Sequence, residues 1–269
     1  MSVTYSLGFR AGGIQAGLRT TPGLDLALIV NDGPADVVAG VFTTNRVCAA
    51  PVQWSRHATA DHKARAVIVN AAVANACTGI DGFADCDITF SRVDSDACMS
   101  TNDTVVAMAS GASGISLTGD ELTDALTELC AILARQLVAD AEGSHHDVKV
   151  TVTGAISTEA AVAVAREVTR SNLVKTAIAG NDPNWGRILA AIGCVPENVA
   201  PFDPDQVDVS INDIQICKAG GIGEDRNLVD MRPREVHIDI ELHAGDAEAA
   251  VWTNDLTHQY VEENSAYTS

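Results

Sequence analysis

Apolar positions along the chain follow two periods. Leu122, Leu126, Leu129, Leu133 and Leu137 recur at three- and four-residue steps, the spacing of one helix face. Thr118 and Glu121 frame its start as a capping box, and Ala141-Glu142-Gly143 marks its stop. Residues 157–169 are Ala-rich and read as a second helix capped by Ser157. A period of two appears in residues 147–154, where Val148, Val150 and Val152 share one side of a strand. Shorter apolar runs at 24–30, 37–42 and 64–69 also read as strands. Asn31-Asp32-Gly33-Pro34 is a turn signal between the first two, which suggests a hairpin or meander. Gly8 to Gly13 reads as a loop, so residues 8–54 are expected to hold only strands and turns. Residues 207–217 alternate around Asn212-Asp213. Residues 235–242 and 247–253 read as a further hairpin turning at Gly245-Asp246.

Residues 181–193 are the most distinctive stretch. Asp182 is expected to cap a helix with Pro183 in its first position, where a missing N–H does no harm. Trp185, Ile188, Leu189 and Ile192 then share one face, and Gly193 ends the helix. Strands and helices mixed in this way, with late antiparallel hairpins, argue for an α/β chain of the α+β kind, built as a layered sandwich of mixed sheets and helices. No Gly-x-Gly-x-x-Gly follows a strand, so a dinucleotide fold is not supported.

Composition removes some function classes. The 269 residues carry 36 Asp and Glu against 17 Lys and Arg, for a net charge of −19. A surface this acidic repels nucleic acid and anionic membranes, so neither is expected as a partner. The seven cysteines are scattered without a Cys-x-x-Cys pair and read as reduced thiols of a cytoplasmic protein. The N-terminus lacks a signal-peptide pattern, and no apolar run is long enough to span a membrane. The aspartates between 81 and 103 lack the spacing of a calcium loop and read as turn and cap residues. His145 and His146 are adjacent, which does not place them on one helix face, so they read as a solvated loop pair rather than metal ligands. No metal and no cofactor is expected. No Gly-x-Ser-x-Gly, His-Glu-x-x-His or phosphate-binding loop is present. From the residues alone Glu142 is a surface carboxylate, and Asn264 and Ser269 belong to a frayed tail.

Longer strings change this picture. Asp182-Pro-Asn-Trp-Gly-Arg187 after Leu173-Val-Lys-Thr-Ala177, Ser100-Thr-Asn-Asp-Thr104, Asn75-Ala-Cys-Thr-Gly79, and Gly8-Phe9 with Thr43-Thr-Asn45 resemble the ornithine acetyltransferase family. The match departs from the family pattern at Ala72 and Val73. The resemblance implies that family's fold as one compact unit, with residues 1–86 similar to its first chain and 87–269 to its second. It implies acetyl transfer from N-acetylornithine to glutamate in arginine biosynthesis, through a covalent acetyl-Thr. The partners it implies are these small molecules, with acetyl-CoA as a further donor, and a homo-oligomer is compatible with it. By the same resemblance Glu142, Asn264 and Ser269 bind the amino-acid substrate.

The family's self-cleavage motif before the nucleophilic Thr and its Ser-Thr-Gly oxyanion loop are absent from this chain. The sequence passes from Gly82-Phe-Ala-Asp85 to Thr89-Phe-Ser-Arg92, strings similar to distant parts of the family, so an internal segment is missing between about Cys86 and Ile88. The fold is thus expected to be incomplete in its middle. No catalytic residue is assigned: Ser2, Thr89 and Thr104 do not match the nucleophile's setting. The alternative is an inactive deletion product or paralogue that retains a partial amino-acid-binding scaffold.

Overall fold

A computed structural model describes residues 2–17, 22–46, 48–70, 92–95, 100 and 102–266. The expected boundary near 86, the string 71–79 and all of the aspartates between 81 and 103 except Asp94 and Asp103 lie outside these residues. The chain divides into two compact units, one from Met1–Ile88 and Met99–Glu128, the other from Thr89–Cys98 and Leu129–Thr268.

In the first unit, β1 (Phe9–Ile14), β2 (Leu26–Asn31) and β4 (Ala66–Asn70) form one antiparallel sheet in the order β1-β2-β4. β3 (Val37–Phe42) pairs with β5 (Thr104–Ala109) in a second, two-stranded sheet. Two expectations are corrected here. The segment read as a loop is β1, whose glycines carry no side chain to signal a strand. β2 and β3 are not a hairpin: the turn at 31–34 passes the chain from one sheet to another, with Asn31 Nδ2 donating to Ala35 O at 3.0 Å. The expectation of strands and turns only also fails. α1 (Ala50–Ala58) begins with Pro51 in its first turn, where no N–H is needed. Val52 on this helix and Cys48 and Ala49 just before it pack with Phe42 as a small core.

α2 (Gly119–Ala139) starts as read, with the Thr118 N–H donating to Glu121 Oε2 at 2.8 Å and the Glu121 N–H to Thr118 Oγ1 at 3.3 Å. Its buried residues are Cys130, Ala134 and Val138, while Leu122, Leu129, Leu133 and Leu137 are exposed. The leucine periodicity marks the helix, and the face it buries is the one that carries Cys130, Ala134 and Val138.

The second unit is built on a six-stranded mixed sheet ordered β11-β6-β10-β7-β8-β9. β6 (Asp147–Ala155) lies between β10 (Glu235–Glu241), its parallel neighbour, and β11 (Ala247–Asn254), its antiparallel one. β10 and β11 are therefore not the expected hairpin. Their connection crosses the end of β6: the N–H groups of Ala244 and Gly245 both donate to Gly154 O, at 2.7 and 2.8 Å. A side chain at Gly245 would collide with the Ala155 carbonyl. The other hairpin is present. β7 (Asp208–Ile211) and β8 (Ile214–Lys218) turn at Asn212 and Asp213, with φ of 47° and 67°, and β9 (Gly221–Ile222) extends the edge.

Register explains the core. Val236, Ile238 and Ile240 sit opposite Val148, Val150 and Val152, and Val251 sits on the other side of Val150. α3 (Thr158–Arg170), capped by Ser157, lays Ala160, Ala161, Val164, Ala165 and Val168 on this face. The small alanines let the helix approach closely. α4 (Asn172–Ala179) and α5 (Trp185–Ile192) complete the helical layer, with Ile178, Ile188 and Ile192 inside. Each such aliphatic side chain contributes roughly 1.5–3 kcal/mol on burial. The layered α/β architecture expected from the sequence is the one the chain adopts.

Candidate functional site

The loop after α2 is fixed from both ends. The last helical carbonyls are capped by side chains: Asn254 Nδ2 donates to Val138 O at 2.6 Å and Arg234 Nη2 to Ala139 O at 2.7 Å. Arg234 also pairs with Asp147, and this hydrogen bond raises its pKa above the ordinary value. Gly143 has a φ of 62°, and a Cβ there would run into the Tyr260 backbone nitrogen. Glu142, beside it, is exposed.

The same loop is held by the start of α6 (His258–Ser265). Thr257 Oγ1 donates to Gly143 O at 2.6 Å and accepts from the Tyr260 N–H at 3.0 Å, so one hydroxyl both caps the helix and grips the loop. Asp255 is 2% exposed. Its Oδ1 accepts from the backbone N–H groups of His145 and His146, at 2.9 and 3.0 Å, and its Oδ2 lies 2.8 Å from His146 Nδ1. His146 Nε2 is 3.0 Å from Met231 O. The expected solvated histidine pair is thus half wrong, because Asp255 draws His146 into the interior while His145 stays exposed. Among the described residues no group of three His, Cys, Asp or Glu side chains is placed to hold a metal.

Asn264 is not in a frayed tail. It lies one turn beyond Tyr260 on α6, exposed, with Nδ2 donating to Tyr260 O at 3.0 Å. The Glu142 loop packs on the backbone at Tyr260, so the structure brings the carriers of Glu142 and Asn264 together. Ser269 lies outside the described residues. A cleft of about 1020 Å³ runs between α4 and another side of α6, lined by His145, Thr176, Gly180, Gln259 and Glu262 among others.

The 181–193 stretch is wired into this unit. Asn184, not Asp182, caps α5, accepting from the Arg187 N–H at 3.2 Å. Asn181 has a φ of 54° and the Asp182 N–H donates to Ala177 O at 2.9 Å, so the chain is still closing α4 where the cap was expected. The Asp182 carboxylate instead accepts from Asn184 Nδ2 at 2.8 Å and lies 3.3 Å from Arg226. Arg187 Nη1 donates to Leu173 O at 2.7 Å, tying α5 to α4.

Sequence reasoning missed a buried polar cluster. Residues 92–95 lie along β11, with the Asp94 N–H donating to Trp252 O at 2.7 Å and the Trp252 N–H to Arg92 O at 2.6 Å. Asp94, read as a turn or cap residue, is 1% exposed and pairs with Arg170 at 2.8 Å. Lys175, 7% exposed, donates to the Ser95 carbonyl and to Thr253 Oγ1. A lysine at a helical apolar position was the one available signal. Of the cysteines described, Cys48, Cys130 and Cys217 are buried and Cys194 is exposed, all as free thiols. No helix among the described residues is long and apolar enough to cross a membrane.

Comparison with known proteins places this geometry. The model of the ArgJ family matches residues 10–89 and 84–269. An arginine biosynthesis bifunctional protein ArgJ from Bifidobacterium longum is 40% identical over 391 residues, an alignment covering all of both chains, although this chain has only 269 residues. The protein of the same name from Streptomyces coelicolor is 38% identical over 386 residues, again across all of both chains. The crystal structure of arginine biosynthesis bifunctional protein argJ from Bacillus halodurans aligns with a TM-score of 0.60 at 35% identity, covering 66% of this chain and 87% of that one. The chain belongs to the ArgJ family of arginine-biosynthesis acetyltransferases.

Proposed function

We propose that this chain keeps the amino-acid-binding part of its family's acetyl-transfer site and lacks the nucleophile that completes it. The observation that carries the reading is the Asp255 and Thr257 clamp, which holds the Glu142 loop against the helix bearing Asn264. The exposed carboxylate of Glu142 suits the ammonium groups of ornithine. The Asn264 amide suits its carboxylate. Acyl transfer by the family's route needs a Thr nucleophile and oxyanion donors, and the strings that would supply them are missing from the sequence. The two family matches meet at residues 84–89, consistent with a lost segment there. Loss of a covalent nucleophile costs on the order of 10⁶ in turnover where it has been measured. On this reading the partners are small amino-acid molecules, no cofactor takes part, and the protein is cytoplasmic.

Calorimetric titration with ornithine and N-acetylornithine tests the proposal. Binding that Glu142→Ala abolishes, from protein running as one uncut band on a denaturing gel, is the expected result. Absence of binding by folded protein overturns it. Family membership favours a second reading, full acetyl exchange between N-acetylornithine and glutamate through an acetyl-Thr. Exchange activity, or self-cleavage into two chains, decides for that reading.

A further inference from the structure

The loop that carries Glu142 stands on two feet, and the same two side chains hold both. The first foot is the end of α2, where Asn254 Nδ2 donates to Val138 O and Arg234 Nη2 to Ala139 O. The second foot is the Ser144 hydroxyl, which accepts from Asn254 Nδ2 at 3.2 Å and from Arg234 Nη2 at 3.3 Å. Between the feet the chain turns tightly, with the Ser144 N–H donating to Ala141 O at 3.2 Å. Glu142 sits on the crest of that turn, exposed.

Each of the two donors is itself aimed. Val138 O can only accept, so the Asn254 amide must turn its nitrogen to the helix, and its oxygen falls to Ser95, whose Oγ donates to it at 2.6 Å. Arg234 Nε donates to Asp147 Oδ2 at 3.0 Å. That pairing neutralises the guanidinium beside the loop, so Arg234 brings geometry to Glu142 more than a field, and a planar guanidinium offers its donors in a fixed fork. Both residues belong to one end of the large sheet. Asn254 closes β11, Arg234 precedes β10, and the register sets Asn254 and Glu235 on either side of Asp147, the first residue of β6.

We propose that Arg234 and Asn254 are positioning residues of the amino-acid site, which fix Glu142 relative to this sheet end so that its carboxylate, meeting the side-chain ammonium of the ligand, selects the ligand's length. The proposal rests on the reading of Glu142 and Asn264 given above. With the ligand's carboxylate at Asn264, a carboxylate on a fixed turn meets an ammonium at one distance only. A carboxylate on a loosened turn follows the ammonium wherever it lies. Ornithine and lysine differ by one methylene, so their relative affinity reports how firmly the turn is held.

Calorimetric titration of the full chain with ornithine and with lysine is the test. The wild type is expected to bind ornithine about tenfold or more tighter than lysine, the discrimination one methylene supports in a shaped site. Arg234→Lys keeps the charge and loses the fork. It is expected to raise the ornithine dissociation constant about tenfold and to leave that of lysine within about threefold, so that the preference disappears. A loss of folded protein lowers binding of both ligands alike, and circular dichroism checks it. Ser144→Ala removes the acceptor common to both donors and is expected to act in the same direction, with Ser144→Thr restoring the preference. This pair decides if Arg234→Lys does not fold. Arg232→Gln breaks only the exposed pair with Asp230 and is expected to leave both constants within about twofold. Folded Arg234→Lys or Ser144→Ala proteins that keep the wild-type preference overturn the proposal. So do an equal loss for both ligands, a Ser144→Thr protein that does not recover, or a comparable loss in Arg232→Gln. A wild type that binds ornithine through Glu142 without preferring it to lysine overturns the proposal and leaves the binding reading standing. A wild type that binds neither ligand overturns both.

Discussion

The carboxylate of Asp255 and the imidazole of His146 meet at 2.8 Å, both buried, and the two remaining contacts of Asp255 go to backbone N–H groups of the same loop. A single side chain thereby fixes where the Ala-Glu-Gly loop ends. Breaking a buried pair from one side leaves the other charge or dipole uncompensated. Asp255→Ala is expected to destabilise the second unit by about 3–5 kcal/mol. Urea denaturation checks the magnitude, and hydrogen exchange at residues 141–146 and 258–265 checks the location.

Gly143 and Thr257 are the other half of the clamp. Gly143→Ala adds a Cβ at positive φ against the Tyr260 backbone, and is expected to cost on the order of 2 kcal/mol or more. Thr257→Ala removes one cap and is expected to cost about 1 kcal/mol, with loosening at the start of α6 and at the Gly143 loop that the hydroxyl grips. Thr257→Ser keeps the hydroxyl and is expected to restore protection of the Tyr260 amide in hydrogen exchange.

The interior of the sheet and the leucine face of α2 separate cleanly by mutation. Ile238→Ala, in the fully covered centre of β10, is expected to cost about 2–5 kcal/mol. Leu137→Ala, on the exposed side of α2, is expected to stay within about 0.5 kcal/mol of wild type. Paired denaturation curves of the two variants check which face of that helix is inward.

Asp230 provides a pH marker. The Arg232 side chain holds its pKa down at about 2, from an ordinary 3.8. A lowered folded value means that the pair's contribution is present above the ordinary carboxylate pKa and is lost as pH falls from about 3.8 through about 2. Both side chains are at the surface, so the effect on stability is small. Carboxyl carbon chemical shifts of Asp230 are expected to titrate near 2, and higher in Arg232→Gln but still below the ordinary value, because the backbone N–H of residue 232 keeps donating to the carboxylate.

Local chemistry was the legible part of the chain. The capping box at Thr118, the Ser157 cap, the alternation of Val148, Val150 and Val152 and the Asn212-Asp213 turn are all decided within a few residues, and each appears in the structure. The rest depended on distant partners. β6 lies between β10 and β11 because the connection at 242–246 steps over its end, and no period in the sequence encodes which strand fills a gap. Asp182 and Asn184 are both good caps; the closure of α4 around Asp182 chose between them. The leucines of α2 and the valines of β6 are equally regular, yet only the valines found a covering layer. At the site, Glu142 and Asn264 were named by resemblance, whereas Asp255 carried no local signal, since its partners lie more than a hundred positions earlier.

The place of β6 in its sheet bears on synthesis. A ribosome makes β6 before either strand that flanks it, and Val150 waits for Val251. The second unit therefore cannot close while its chain is still emerging, and its apolar ladder stays uncovered until residue 254 has cleared the exit tunnel. Nascent chains of this protein stalled before that point should recruit holdase chaperones, and those released beyond it should not.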